Sequence, residues 1–167
     1  DLDRFKIVND VLGHGAGDEV LVAAARRMRD AVAGEGLIAR FGGDEFVVVC
    51  AFDDDAHRPE RLARRVQHAF GESFRVDTDE FSVTTSIGIA RAPADGETSQ
   101  QLIQSADIAM YDSKRRRRNG WQAFSPELAS RQQERLQAET QLRRALDNGE
   151  FHLVYQPQVD LRSGRIL

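Results

Sequence analysis

The chain has 167 residues, 41% hydrophobic and 30% charged, which suits one globular domain, or one domain and part of another. Its net charge of −4, from 23 Lys and Arg against 27 Asp and Glu, excludes a protein that holds nucleic acid by bulk charge. No apolar run approaches the roughly 20 residues that span a bilayer, and no basic-then-apolar leader opens the sequence. The single cysteine, Cys50, ends an apolar run and reads as a small core residue in a reducing, cytoplasmic compartment.

In chain order, Phe5, Ile7, Val8, Val11 and Leu12 predict a short helical face. "GHGAGDE" interrupts it, and a second helix is predicted from Gly17 onward, with Asp18 and Glu19 at its positive end. "LIARF" and "EFVVVCAF" flank Gly42 and Gly43 and predict a hairpin. Pro59 fits the first turn of a helix over 59–70 carrying Leu62, Val66 and Phe70. "SFRVDTDEFSVTTSIGIARA" is strand-rich, with "DTDE" as a turn. The helix in "QQLIQSADIAMYDSKRRRR" is predicted to face Leu102, Ile103, Ala106, Met110 and Tyr111 inward, and "WQAF" to follow as a short strand. Residues 126–148 predict a polar helix capped by Asn148-Gly149. "EFHLVYQPQVDL" then predicts a strand, "RSG" a turn, and the last residues a second strand.

This order predicts an α+β domain over residues 1–124 with a largely antiparallel sheet, a linker helix over 125–148, and the start of another domain over 149–167. Because the sequence opens on Asp1 without a Met, it reads as a fragment.

Acidic residues fall at Asp1, Asp3, Asp18, Asp44 and Glu45. Mg²⁺ takes one or two carboxylates plus substrate phosphates, and a hairpin carrying Asp44 and Glu45 can meet a strand end carrying Asp1. On local pattern alone a surface hairpin is the commoner reading of Gly-Gly-Asp-Glu. Asp18 reads equally as a first-turn acid, Asn9 as a helix-terminus residue, His14 as a structural loop histidine, and Asp3 as a helix-start residue.

The blocks "DLDRFKIVND", "GHGAGDEVL", "RFGGDEF", "SIGIA" and "ADIAMYDSK" occur in this order, and together they resemble the GGDEF family of diguanylate cyclases over residues 1–124. The resemblance implies a palm-like fold, a mostly antiparallel central sheet flanked by helices. It implies condensation of two GTP, one on each of two facing domains, to cyclic di-GMP and pyrophosphate. It also implies Mg²⁺, two per site with Mn²⁺ as a substitute, held by Asp1, the Leu2 carbonyl, Asp44 and Glu45. Asp44 and Glu45 are implied as catalytic, and Asn9 and Asp18 as the guanine contacts. The Phe5 and Lys6 amides, Lys114 and Arg118 match phosphate contacts, and Gly42 and Gly43 the turn beside the nucleotide.

Two departures stand out. The family usually has glycine before the arginine matching Arg118, where this chain has Arg117; the helix could instead run on to Gly120. Lys114 and Arg118 share one face if it does. The window where many relatives carry an RxxD product-inhibition site reads Ala33-Gly34-Glu35-Gly36, so no such site is expected.

"YQPQVDL" resembles the opening of an EAL phosphodiesterase domain. The implied parent is a dual GGDEF–EAL protein, with sensory modules upstream and a homodimer needed for catalysis. A regulatory GTP-binding module that controls the EAL domain without making product is the alternative. The family's central strand leads into the first Asp. Without it the expectation is open ladder groups and a marginally folded, inactive piece of an active parent.

Overall fold

A computed structural model describes residues 1–52, 55–76 and 79–166. They fall into two units, Asp1–Ala129 and Ser130–Leu167. In the first unit lie β1 (Leu2–Asp3), α1 (Phe5–Val32), β2 (Gly36–Gly42), β3 (Glu45–Cys50), α2 (Arg58–Ala69), β4 (Phe74–Val76), β5 (Asp79–Phe81), β6 (Thr84–Ile89), α3 (Ser99–Arg117) and β7 (Gly120–Ala123). A further helix, α4 (Pro126–Asp147), begins there and continues into the second unit.

The α+β class is as expected. Among the described residues the strands pair in three parts, β1-β6-β7, β2-β3 and β4-β5, and only the β6–β7 pair is parallel. One backbone bond, Leu2 N to Asp44 O at 3.2 Å, joins β1 to the hairpin turn.

Strand alternation sorts the two faces of this layer. Leu2 and Ile87 point toward the core that α1 and α2 build from Val20, Leu21, Met28, Leu62 and Val66. Thr84, Ser86 and Gly88 point the other way, toward α3. A Cβ on Gly88 would lie 1.8 Å from Ala106 O, so β6 and the α3 backbone are in direct contact there. The buried residues of α3 are accordingly small: Ser105, Ala109 and Ser113. Tyr111, expected to face inward, is 43% exposed. At 100° per residue it lies well off the 105–109–113 stripe.

The expected break after Leu12 is narrower than predicted. One helix spans Phe5–Val32, and only Gly13 (φ 83°) leaves helical geometry. Asp18 therefore sits in the second turn after the kink rather than at a helix start. Before the kink only Phe5 and Val8 are buried, and Ile7, Val11 and Leu12 are exposed. The turn expected in "DTDE" falls on Asp77 and Thr78, outside the described residues.

In the second unit α4 matches the expected polar helix, with Leu136, Leu142 and Leu146 exposed. The strand expected over 150–161 is not formed. Phe151, Leu153, Val154 and Tyr155 are exposed, and the one bridge there, Val159–Ile166, is closed by the Asp160 turn. A strand exists only where a neighbour accepts its ladder bonds, and among the described residues none lies beside 151–158.

Candidate active site

The site is built around β1. Asp1 and Asp3 flank Leu2 and share its opposite face, so burying Leu2 in the core turns both carboxylates toward the end of α3. Asp1 O accepts from Ser86 N and from Thr85 Oγ1, each at 3.0 Å, which pins the strand end to β6. The Asp1 carboxylate, its side chain only 9% exposed, lies 2.8 Å from the Lys114 ammonium on the last turn of α3.

The backbone nitrogen of Asp1 donates to Ser86 O at 3.2 Å.

The hairpin brings the remaining acids. Its register runs Arg40–Phe46 and then Gly42–Glu45, leaving Phe41 as the extra residue of a bulge. Gly43 takes φ 40°, and Arg40 Nε donates to its carbonyl at 2.9 Å. Nothing lies within 4 Å of a Cβ built on Gly42 or Gly43, so the turn faces open space. Through the Leu2–Asp44 bond this turn is held beside β1. Asp44 is half-buried and Glu45 exposed.

Chemically the donors suit Mg²⁺: hard carboxylate oxygens and a backbone carbonyl, with an ammonium already standing as cation against Asp1. Among the described residues, however, no three acidic, His or Cys side chains form a closed metal shell.

The other expected residues are placed as follows. A Cβ on Gly17 would lie 1.9 Å from Asn9 Oδ1, so the Asn9 side chain rests on the glycine that precedes Asp18. The kink at Gly13 is what brings the Asn9 side chain back against Gly17. The N-cap of α1, Arg4, is left-handed and supplies no side-chain bond, leaving the Phe5 and Lys6 amides without intrahelical acceptors. His14 is exposed.

Arg118 corrects one expectation. α3 ends at Arg117, Arg118 is the non-helical C-cap, and the left-handed residue is Asn119 (φ 61°), a type that tolerates this region; Gly120 already belongs to β7. Arg117 needs no glycine-like conformation, and Lys114 and Arg118 do not share a helical face.

A residue overlooked in the sequence is Asp3. It is no helix cap. It is 4% exposed and accepts from Ser86 Oγ (2.8 Å), Thr84 Oγ1 (2.7 Å) and Asn119 N (3.0 Å). Its alternation with Asp1, and the two hydroxyls two residues apart on β6, were the available signals.

The family model for "Diguanylate cyclase, GGDEF domain" matches residues 1–120. The chain belongs to the GGDEF diguanylate cyclase family. It is 38% identical over 167 residues to the bifunctional diguanylate cyclase/cyclic di-GMP phosphodiesterase MucR of Pseudomonas aeruginosa, covering 100% of this chain and 24% of that protein. It is 36% identical to the signaling protein YkoW of Bacillus subtilis, covering 99% of this chain and 21% of that one. The GGDEF chain thus spans about a quarter or less of the curated relatives it matches. Among solved structures, the GGDEF domain of YfiN from Pseudomonas aeruginosa superposes with a TM-score of 0.75 at 37% identity, over 80% of this chain and 78% of that one. An EAL/GGDEF domain protein from M. capsulatus superposes with a TM-score of 0.72 at 41% identity, over 75% and 81%.

Proposed function

We propose that this GGDEF domain catalyses cyclic di-GMP synthesis from two GTP molecules within a dual GGDEF–EAL protein. The observation that carries the reading is the joint placement of Asp1, Asp44 and Lys114: one backbone bond ties the hairpin acids to β1, and the α3 cation meets the same strand. In each half of a homodimer, the 3′ oxygen of one GTP forms a bond to the α-phosphorus of the other. The α–β bridging P–O bond breaks, and pyrophosphate leaves with its electrons. Glu45, exposed at the turn, accepts the 3′ proton on this reading. Asn9 and Asp18 hold the guanine edge, and the first-turn amides of α1 with Lys114 and Arg118 hold the triphosphate. Asp1, the Leu2 carbonyl, Asp44 and Glu45 would hold Mg²⁺, which would neutralise charge on the phosphates.

Product feedback through residues 33–36 is absent on this reading. Ala33 is the helix C-cap, and the Glu35 carboxylate is taken by Arg58 and Arg65.

A second reading, a GTP-binding module that regulates an EAL partner without turnover, is favoured by the relative named cyclic di-GMP phosphodiesterase NbdA, 37% identical over 166 residues. The intact protein, with its EAL half disabled, is incubated with GTP and Mg²⁺. Cyclic di-GMP formation that Glu45→Ala abolishes supports the cyclase. GTP binding without product, with hydrolysis stimulated in the unmodified protein, supports the regulator.

A further inference from the structure

Asp3 is a carboxylate at 4% exposure whose hydrogen-bond partners are all neutral. Burying such a group is costly unless its lone pairs are filled, and here three donors fill them. The donors come from two different places. Thr84 and Ser86 belong to β6, and Asn119 to the turn between α3 and β7. On the other side of that turn, Gln67 of α2 donates to Asn119 O, so the left-handed residue is gripped from both directions.

The position of this hub is more telling than its strength. Asp1 and Leu2 immediately precede it, and the free amides of Phe5 and Lys6 follow it by two and three residues. Across the hydrogen bond, Arg118 is the residue just before Asn119. The strand proposed to carry metal, the helix start and the cationic turn proposed to carry phosphate therefore meet at one side chain.

We propose that Asp3 is a positioning residue that sets the spacing between the metal-bearing strand and the phosphate-binding turn, so that its loss weakens triphosphate binding while sparing the base. This rests on the cyclase reading of the site. The base contacts, Asn9 and Asp18, lie beyond the first turns of α1 and share no bond with Asp3. A general fold-holding role would instead lower stability and leave the folded protein's preference for triphosphate unchanged.

The test compares affinities of the intact protein for 3′-deoxy-GTP, which lacks the attacking hydroxyl and is not consumed, and for GMP. For Asp3→Ala the 3′-deoxy-GTP affinity should fall about tenfold or more, the scale of a lost charge-assisted contact. GMP affinity should stay within about twofold. Asp3→Asn should restore the triphosphate affinity to within about threefold of wild type, because an amide oxygen can still accept from Asn119 N while Ser86 rotates to accept from the amide nitrogen. Arg65→Ala, which removes a cap between α1 and α2, serves as a control for destabilisation and should leave the ratio of the two affinities unmoved. Should Asp3→Ala fail to fold, Thr84→Val with Ser86→Ala removes two of the three donors and should lower the same ratio. Equal losses for both ligands, or an unchanged ratio in these variants, overturns the assignment. Failure of the wild type to bind 3′-deoxy-GTP at all would instead bring down the cyclase reading, and this inference with it.

Discussion

Lys114 Nζ and Asp1 Oδ1 lie 2.8 Å apart, a cation from the end of a helix seated on the acid expected to hold metal. On the cyclase reading proposed above, both are needed elsewhere during catalysis, Asp1 by Mg²⁺ and Lys114 by phosphate. Metal and nucleotide binding should therefore be linked through the release of this pair. Lys114→Met should bind Mn²⁺ in the absence of nucleotide about threefold or more tightly than wild type, because the ammonium no longer competes. The same variant should bind GTP more weakly. Electron paramagnetic titration of free Mn²⁺ reads the first effect, and an affinity equal to or below wild type refutes the competition.

The contact between Gly17 and Asn9 makes a second expectation. A methyl at position 17 would strike Asn9 Oδ1, built at 1.9 Å, and Asn9 is a side chain that can rotate away. Gly17→Ala should accordingly fold, yet displace the amide from the place proposed for its guanine contact. Preference for GTP over ATP should drop by roughly tenfold, since a polar contact built for one base would be lost. Unchanged base discrimination in a folded Gly17→Ala protein counts against Asn9 as a guanine contact.

Gly88 offers the opposite case. A Cβ there meets Ala106 O at 1.8 Å and Met110 N at 2.6 Å, both backbone, and no rotamer change can relieve them. Gly88→Ala must push α3 away from β6, carrying Lys114 with it. The expected cost is about 3 kcal/mol or more in urea unfolding, at the upper end of overpacking. A melting temperature near wild type would mean that the two elements have slack the structure does not suggest.

The sequence made most elements legible because their signals were local. The glycine pair between branched runs marked the hairpin, and Pro59 marked the start of α2. The acids of the site were legible as ordered blocks rather than one by one. What remained hidden depends on distant partners. Asp3 looked like a helix cap because its three donors lie 81 to 116 residues away. Asn119 was overlooked because the glycine rule drew attention to Arg117, while asparagine can also take the left-handed position. The strand expected over 150–161 had the right composition, but composition supplies no ladder partner.

Glu35 links the altered product-site window to stability. Its carboxylate accepts from Arg65 Nη1 at 2.5 Å and Arg58 Nε at 3.3 Å, so the end of α1 is tied to α2. Hydrogen bonding to Arg65, then the charge of Arg65 and the contact with Arg58, hold its pKa below 4.5. A carboxylate with a lowered folded pKa stabilises the protein above its unfolded value, and that stabilisation fades as pH falls through the folded value. Glu35→Gln should thus lower the urea midpoint at pH 7 and lose most of that effect as pH drops below 4.5. The pair is solvent-accessible, so 1 M salt should shrink the pH 7 difference as well. A penalty that persists undiminished in acid would mean the side chain acts through shape rather than charge. The same engagement leaves Glu35, Arg58 and Arg65 already paired with one another beside Ala33 and Gly36. Cyclic di-GMP should therefore leave the Glu35→Gln difference in urea midpoint at pH 7 unchanged, and a midpoint that rises with added cyclic di-GMP in wild type but not in the variant would place product binding at this window after all.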